Sequence, residues 1–319
     1  MNKPSPESDK KSYFTLCQNE ATIPLFMQPE WLDVVCGKEL VWDVFLSRNT
    51  EGVVDAALVF CLKKKYGILQ ITMPHFTQFT GFWFSNNLLQ NIDNQQVAIN
   101  VLLKKLPKSL RTKLRFHYSF DPQNILIQQG FEVENKQTQV LENVRNLDAI
   151  YQNMSQNAQR NIKKAKQYFH IESREDFDLF HPIVNTVFER QNAKNPIPLS
   201  IWQAIHTFIH QKKWGKVYFS MDENNEPQAV VMVVWDAQTM YLLANGSTEK
   251  GRKLGAMTQL IWHVVSENAG QVDTFNFFGS SIPAIQAFNL RFNAENKEYS
   301  SVVKYQNKMI GRLFKLLKK

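Results

Sequence analysis

The chain has only 3 cysteines in 319 residues, and Cys17, Cys36 and Cys61 form no C-x-x-C pair. Scattered thiols in odd number exclude a disulfide framework and a zinc-site spacing, and they suit buried thiols in a reducing cytoplasm. Glycine and proline are sparse at 12 each, which excludes collagen-like and low-complexity architectures. No apolar run approaches the ~20 residues that span a bilayer. The polar stretch Met1–Lys11 lacks the apolar core of a secretory signal, so a cytoplasmic location is expected. His206 and His210 stand four apart with no H-E-x-x-H around them, and no metal is expected. Acids are absent from the last twelve residues, which hold Lys308, Arg312, Lys315, Lys318 and Lys319.

Hydrophobic residues make up 44%, and 23 Phe, 9 Tyr and 7 Trp supply core for two domains at ~150 residues each. The net charge is +8, and removing the five cations of the tail leaves +3. Residues 1–145 hold 16 Lys and Arg against 14 Asp and Glu, while 146–319 hold 21 against 15. The positive charge therefore concentrates in the tail, and DNA is not an expected partner.

Periodicity and breakers predict a frayed start over 1–12, then a helix from Pro29 stopped by Gly37. Strands are predicted at 41–47, 53–62, 68–72 and 79–84, a helix over 88–106, a strand over 114–118, a helix over 122–129 and a strand over 131–141. The second half reads as helices over 147–169, 177–191 and 200–213, then strands at 216–221, 228–236 and 239–244. A helix over 256–269, a strand over 274–278, a helix over 282–292 and a strand over 298–304 complete it. Both halves follow one order of strand, strand, strand, helix, strand, helix, strand. The tight turns at 49–52, 222–227 and 237–238 require antiparallel pairs, so mixed sheets are favoured.

Several clusters can carry chemistry. In Asn245-Gly246-Ser247-Thr248-Glu249-Lys250-Gly251-Arg252-Lys253-Leu254-Gly255-Ala256-Met257, glycines let backbone come close, and Lys250, Arg252 and Lys253 add positive charge before a helix start. Free amides and the helix dipole there attract phosphate. Glu189 and Arg190 end a helix and read as a cleft-lining acid and an acceptor-binding cation, or as an exposed pair. His75 and Gln78 lie in a loop of Thr, Gln and aromatic residues suited to a ligand wall or to aromatic packing. Arg160, Lys163, Lys164 and Lys166 wrap one side of a helix, which suits an anionic acceptor, tRNA phosphate or plain solvent. The tail Lys308–Lys319 is basic and amphipathic, suiting either an anionic membrane face or docking on the protein.

The strand order with its loop and helix after the third strand resembles the GNAT acyltransferase fold. Pro29–Val35, Ile71-Thr72-Met73-Pro74 with Thr77-Gln78 and Gly81, Met154–Gln167, Phe188-Glu189-Arg190-Gln191, Gly255-Ala256-Met257 and Phe275–Ala294 resemble the Fem-type peptidoglycan aminoacyltransferases. The resemblance implies an α/β (α+β) chain of two GNAT-like lobes with mixed, largely antiparallel sheets, extra helices preceding the second. The lobes would be 1–145 and 146–305, with 306–319 a basic amphipathic tail. It implies an acyl- or aminoacyl-transferase whose donor, acyl-CoA or aminoacyl-tRNA, rests on Ala244, Asn245, Gly251, Arg252, Lys253, Gly255, Ala256, Met257 and Asn289, without a metal. The acceptor, an amine of a small or cell-envelope-related molecule, would meet Arg190, Gln78, Arg160 and Lys164, with Glu189, His75 and Ser280 at the reacting end. Peripheral contact with the inner membrane face would run through the tail. Two departures stand out. Where relatives read D-F-E-G-S, this chain reads Asn276-Phe277-Phe278-Gly279-Ser280, and Asn289 stands where a Tyr or Lys is usual. An amide is no general acid, so a binding or scaffold protein that kept the fold is the alternative.

Overall fold

The computed structural model describes residues 6–279 and 282–316. A helix, α1 (Pro6–Asn19), forms where the polar start suggests fraying. Two buried groups hold it: the Tyr13 hydroxyl donates to the Met27 carbonyl at 2.9 Å, and Asp9 accepts the Leu46 N–H at 3.2 Å. α2 (Pro29–Cys36) starts on its proline and stops at Gly37, whose φ of 54° suits glycine. β1 (Val41–Arg48) and β2 (Val54–Lys65) pair antiparallel, Val41 opposite Leu62 and Ser47 opposite Ala56. β3 (Ile68–Thr72) and β4 (Gly81–Phe84) pair with different stretches of β2.

The single helix predicted over 88–106 is two, α3 (Asn86–Leu89) and α4 (Ile92–Lys105). Ser85 and Asn91 each cap a fresh start by accepting the N–H three residues on. β5 (Arg111–Arg115) lies earlier than the predicted 114–118, because Thr112 and Leu114 are buried between charged residues that mask the alternation. It runs parallel to β3. α5 (Gln123–Gln128) and β6 (Glu132–Glu142) follow.

The predicted helix over 147–169 also divides, into α6 (Leu147–Asn153) and α7 (Gln156–Ala165), with Ser155 capping the second. A short strand, β7 (His170–Ser173), escapes prediction. Next come α8 (Phe177–Glu189), α9 (Leu199–Lys212), β8 (Gly215–Met221), β9 (Pro227–Trp235) and β10 (Thr239–Ser247). The bend expected after β10 is itself helical, α10 (Glu249–Leu254), because the Thr248 hydroxyl accepts the Gly251 N–H at 3.0 Å. α11 (Ala256–Asn268), β11 (Thr274–Asn276), α12 (Pro283–Leu290), β12 (Glu295–Tyr305) and α13 (Lys308–Leu316) complete the chain.

The chain divides into one unit of Met1–Lys136 with Glu298–Lys319 and another of Gln137–Lys297. In the first, strands run β1, β2, β3, β5, β12, and two core clusters pack on them, centred on Leu58, Phe60 and Leu114 and on Trp42, Val44 and Val59. In the second they run β6, β11, β10, β9, β8, β7, with α7 and α11 packed on Val231, Val233 and Leu242. All these pairings are antiparallel except β3 with β5 and β10 with β11. The divisions thus fall at 136 and 297 where the sequence suggests 145 and 305. Residues 301–305 of β12 pair with β5, which carries the end of that strand into the first unit.

Candidate functional site

β10 and β11 run side by side for three residues only, Thr239 with Thr274, Met240 with Phe275 and Tyr241 with Asn276. Beyond Tyr241, β10 stays with β9, while the chain after β11 stays with β6 through the Phe277 N–H bond to the Gln139 carbonyl at 2.9 Å. Parallel neighbours that part leave an opening at their carboxyl ends, the place where α/β sheets hold ligands. A cavity of about 380 Å³ lies along that end of β10, lined from β10, α7, α8, α10, α11 and α12.

Two glycines shape its floor. A Cβ on Gly251 would stand 2.1 Å from the Gln228 carbonyl oxygen, so only glycine lets α10 press onto β9. Gly255 has φ 83° and joins α10 to α11 as C-cap of one and N-cap of the other. No side chain caps α11, and the first N–H groups of a helix lack partners within it. Gly255, Met257 and Thr258, from that turn, line the cavity.

Charge along the lining is of one sign. Arg190, Arg252 and Arg291 are its ionisable residues, with no carboxylate among the described lining residues. The Arg252 guanidinium donates to the Ser247 carbonyl at 2.9 Å, and Arg190 Nε to the Thr186 carbonyl at 3.1 Å. Partial desolvation, and then the neighbouring Arg252, lower the Arg190 pKa from its ordinary value. The lysines of the bend add less charge than the sequence suggests. Lys253 pairs with Glu249 at 2.6 Å, and Lys250 pairs with buried Asp222, whose carboxyl that bond, with backbone N–H donors, holds below the usual range.

Asn245, Gly251, Arg252, Gly255, Met257 and Asn289, read from the sequence as donor-binding, all line this cavity, and so does Arg190. Ala244 and Ala256 are buried in the core beside it. Lys253 faces Glu249. Glu189 is exposed at the end of α8 and is not part of the lining. Lys164 donates to the Lys253 carbonyl and Arg160 to Gln156, each at 3.2 Å, so they brace α7 and α10. His75 and Gln78 belong to the first unit. Burial lowers the His75 pKa, its carbonyl accepts the Thr77 hydroxyl, and Gln78 is buried. Ser280 lies outside the described residues. The sequence reading misses Arg291 and Asn161, which also line the cavity. Their only signal was position, at the end of one helix and within the basic run of another.

Two buried amides in the second unit are engaged in hydrogen bonds. Asn276, fully buried, accepts the Thr138 hydroxyl at 2.7 Å and the Phe278 N–H at 2.8 Å. Asn289 donates to Gln139 at 3.1 Å, and Gln139 donates to Asn296 at 2.9 Å. A larger hollow of about 520 Å³ in the first unit is lined by none of the residues singled out from the sequence. Among the described residues no group of His, Cys, Asp and Glu is placed to hold a metal, and no helix is long and apolar enough to cross a membrane.

Residues 152–282 match the acetyltransferase (GNAT) domain family. No curated protein matches the sequence. Among solved structures, FemX is similar over 94% of this chain and 96% of its own, at 12% identity and a TM-score of 0.69. A conserved protein of unknown function from Bacteroides thetaiotaomicron matches over 95% and 99%, at 9% identity and 0.54. The C-terminal domain of a candidate lysylphosphatidylglycerol synthetase from Agrobacterium fabrum matches over 86% of both chains, at 10% identity and 0.51. At such identities the likeness to these structures is one of fold, and the family match places a GNAT domain within residues 152–282.

Proposed function

We propose that this protein transfers an acyl or aminoacyl group from a phosphate-bearing donor to an amine, with the donor seated between β10 and β11. One observation carries the reading: a cavity lined by three arginines and no carboxylate lies at the uncapped start of α11. Helix-start amides and guanidinium groups both favour phosphate, the common feature of acyl-CoA and aminoacyl-tRNA. The apolar side chains Leu242, Ile261 and Phe288 give an acyl group a dry wall.

Attack by a neutral amine on the acyl carbonyl forms a tetrahedral oxyanion and expels a thiolate or a ribose alkoxide. Arginine stays protonated, so the lining offers cationic donors and no base. The amine's proton then leaves to water, and the leaving group takes its proton from water. The rate should rise with pH along the acceptor's own deprotonation.

The test is thermal shift and turnover with acetyl-CoA, longer acyl-CoA esters and aminoacyl-tRNA. Stabilisation by one of them, with transfer to an amine, supports the reading, and no response to any refutes it. The Asn276 and Asn289 amides favour one rival, a protein that binds the donor without turning it over. Donor binding with no labelled product from a panel of amines would select that rival.

A further inference from the structure

α13 resolves the choice that the tail leaves open, because it docks with one side and presents another. Phe314 meets the Tyr305 ring at 5.7 Å and the Arg111 guanidinium at 5.0 Å. Gly311 is buried where a Cβ would stand 3.0 Å from Tyr305, and Lys315 pairs with Glu132 at 2.8 Å. At helical spacing, Ile310, Gly311 and Phe314 share that docked side. Met309, Leu313 and Leu316 share the opposite side and are 75%, 56% and 69% exposed. None of the three is needed to hold the helix down.

Beside this stripe, at i, i+4, stand Lys308 and Arg312, which have no ion-pair partner among the described residues. They line, with the Lys315–Glu132 pair, a hollow of about 420 Å³ against the strand end, so that two of its three cations are left without a carboxylate partner among the described residues. An apolar ridge with an uncompensated basic flank is complementary to a surface that is apolar beneath and anionic on top. A second copy of the chain fits poorly: the ridge of three side chains falls far below the ~800 Å² per partner of stable interfaces, and the cations would repel. RNA would use the cations and leave the ridge in water.

We propose that α13 seats this protein on an anionic phospholipid surface, with Met309, Leu313 and Leu316 in the headgroup–acyl boundary and Lys308 and Arg312 on the headgroup phosphates. This goes beyond the acyl-transfer reading and does not depend on it. The experiment is co-sedimentation of the full chain with vesicles of phosphatidylcholine alone, or with phosphatidylglycerol added, for the parent, Leu313→Glu and Arg312→Ala. Both positions are exposed, and circular dichroism checks the fold of each variant. The parent should bind only vesicles that contain phosphatidylglycerol. Arg312→Ala should weaken binding about fivefold, and Leu313→Glu about tenfold or more. Failure of the parent to bind overturns the proposal. So does binding untouched by Leu313→Glu, competition by soluble glycerol phosphate alone, or a dimer that Leu313→Glu dissociates in the absence of lipid.

Discussion

Replacing Arg190 by methionine separates binding from stability. The side chain donates to the Thr186 carbonyl of its own helix, one turn back, and faces the like charge of Arg252. Methionine keeps the apolar stem that lies along the cavity wall. Relief of repulsion between partly exposed charges is worth a few tenths of a kcal/mol after screening, so the melting temperature should hold or rise by about 1 °C. Loss of a charged hydrogen bond to a donor phosphate costs about 1.5–3 kcal/mol, or about 10- to 150-fold in affinity. Arg190→Met loses a bond within its own helix, where the Arg190 N–H still holds the Thr186 carbonyl, whereas Arg252→Met removes the 2.9 Å bond that ties α10 to the Ser247 carbonyl of β10 and should melt about 2–4 °C lower. Calorimetric titration with whichever of coenzyme A and aminoacyl-tRNA binds the parent, beside thermal melts, reads both quantities. Parent-like donor affinity in Arg190→Met, or a melt below that of Arg252→Met, would refute the reasoning.

Three other outcomes can be checked by thermal melts. In Gly251→Ala the new methyl would stand 2.1 Å from the Gln228 carbonyl oxygen, which should cost about 1–3 kcal/mol and weaken donor binding as α10 lifts; a parent-like melt would show that α10 moves freely. Asn276→Ala strips the acceptor from the buried Thr138 hydroxyl and the Phe278 N–H, for a loss of about 1–3 kcal/mol. His206, packed against Phe177 and Phe180, is held at about 4 by burial and then by His210, with Glu175 and Asp176 opposing. The unfolded chain takes up that proton below about 6.5, so this stability is full above 6.5 and is lost as pH falls toward 4. His206→Phe should flatten that limb of the melting profile, and an unchanged limb would shift the acid sensitivity to another group, such as His117, also held at about 4 by burial.

Long apolar elements were legible because burial on one face writes a period into the sequence. The α2 stop at Gly37, β3 and the α11 stripe all follow from that, and so does the parting of β10 and β11, through the resemblance to GNAT proteins. Helix breaks were not legible. Ser85, Asn91 and Ser155 interrupt apolar stripes that run on across them, and a capping hydroxyl or amide looks like any polar residue on the outer face. Charge was misread in the same way. Lys250 and Lys253 promised a basic bend, yet Asp222 and Glu249 neutralise them, and Asp222 is remote in sequence. Arg291, from α12's end, supplies cation to the lining, where no local pattern pointed.

The division of the chain at 136 and 297 makes the second unit an insertion within the first. During synthesis the inserted unit is a continuous stretch and can finish folding as it emerges. The first unit must wait, because the strand that covers β5 is made only after the whole inserted unit. A ribosome-bound intermediate would therefore carry a folded second unit while the sheet of the first still has β5 as an open edge, the kind of edge that invites pairing with another chain. Whatever shields nascent chains has most to protect here in the interval between residue 297 and the end of β12.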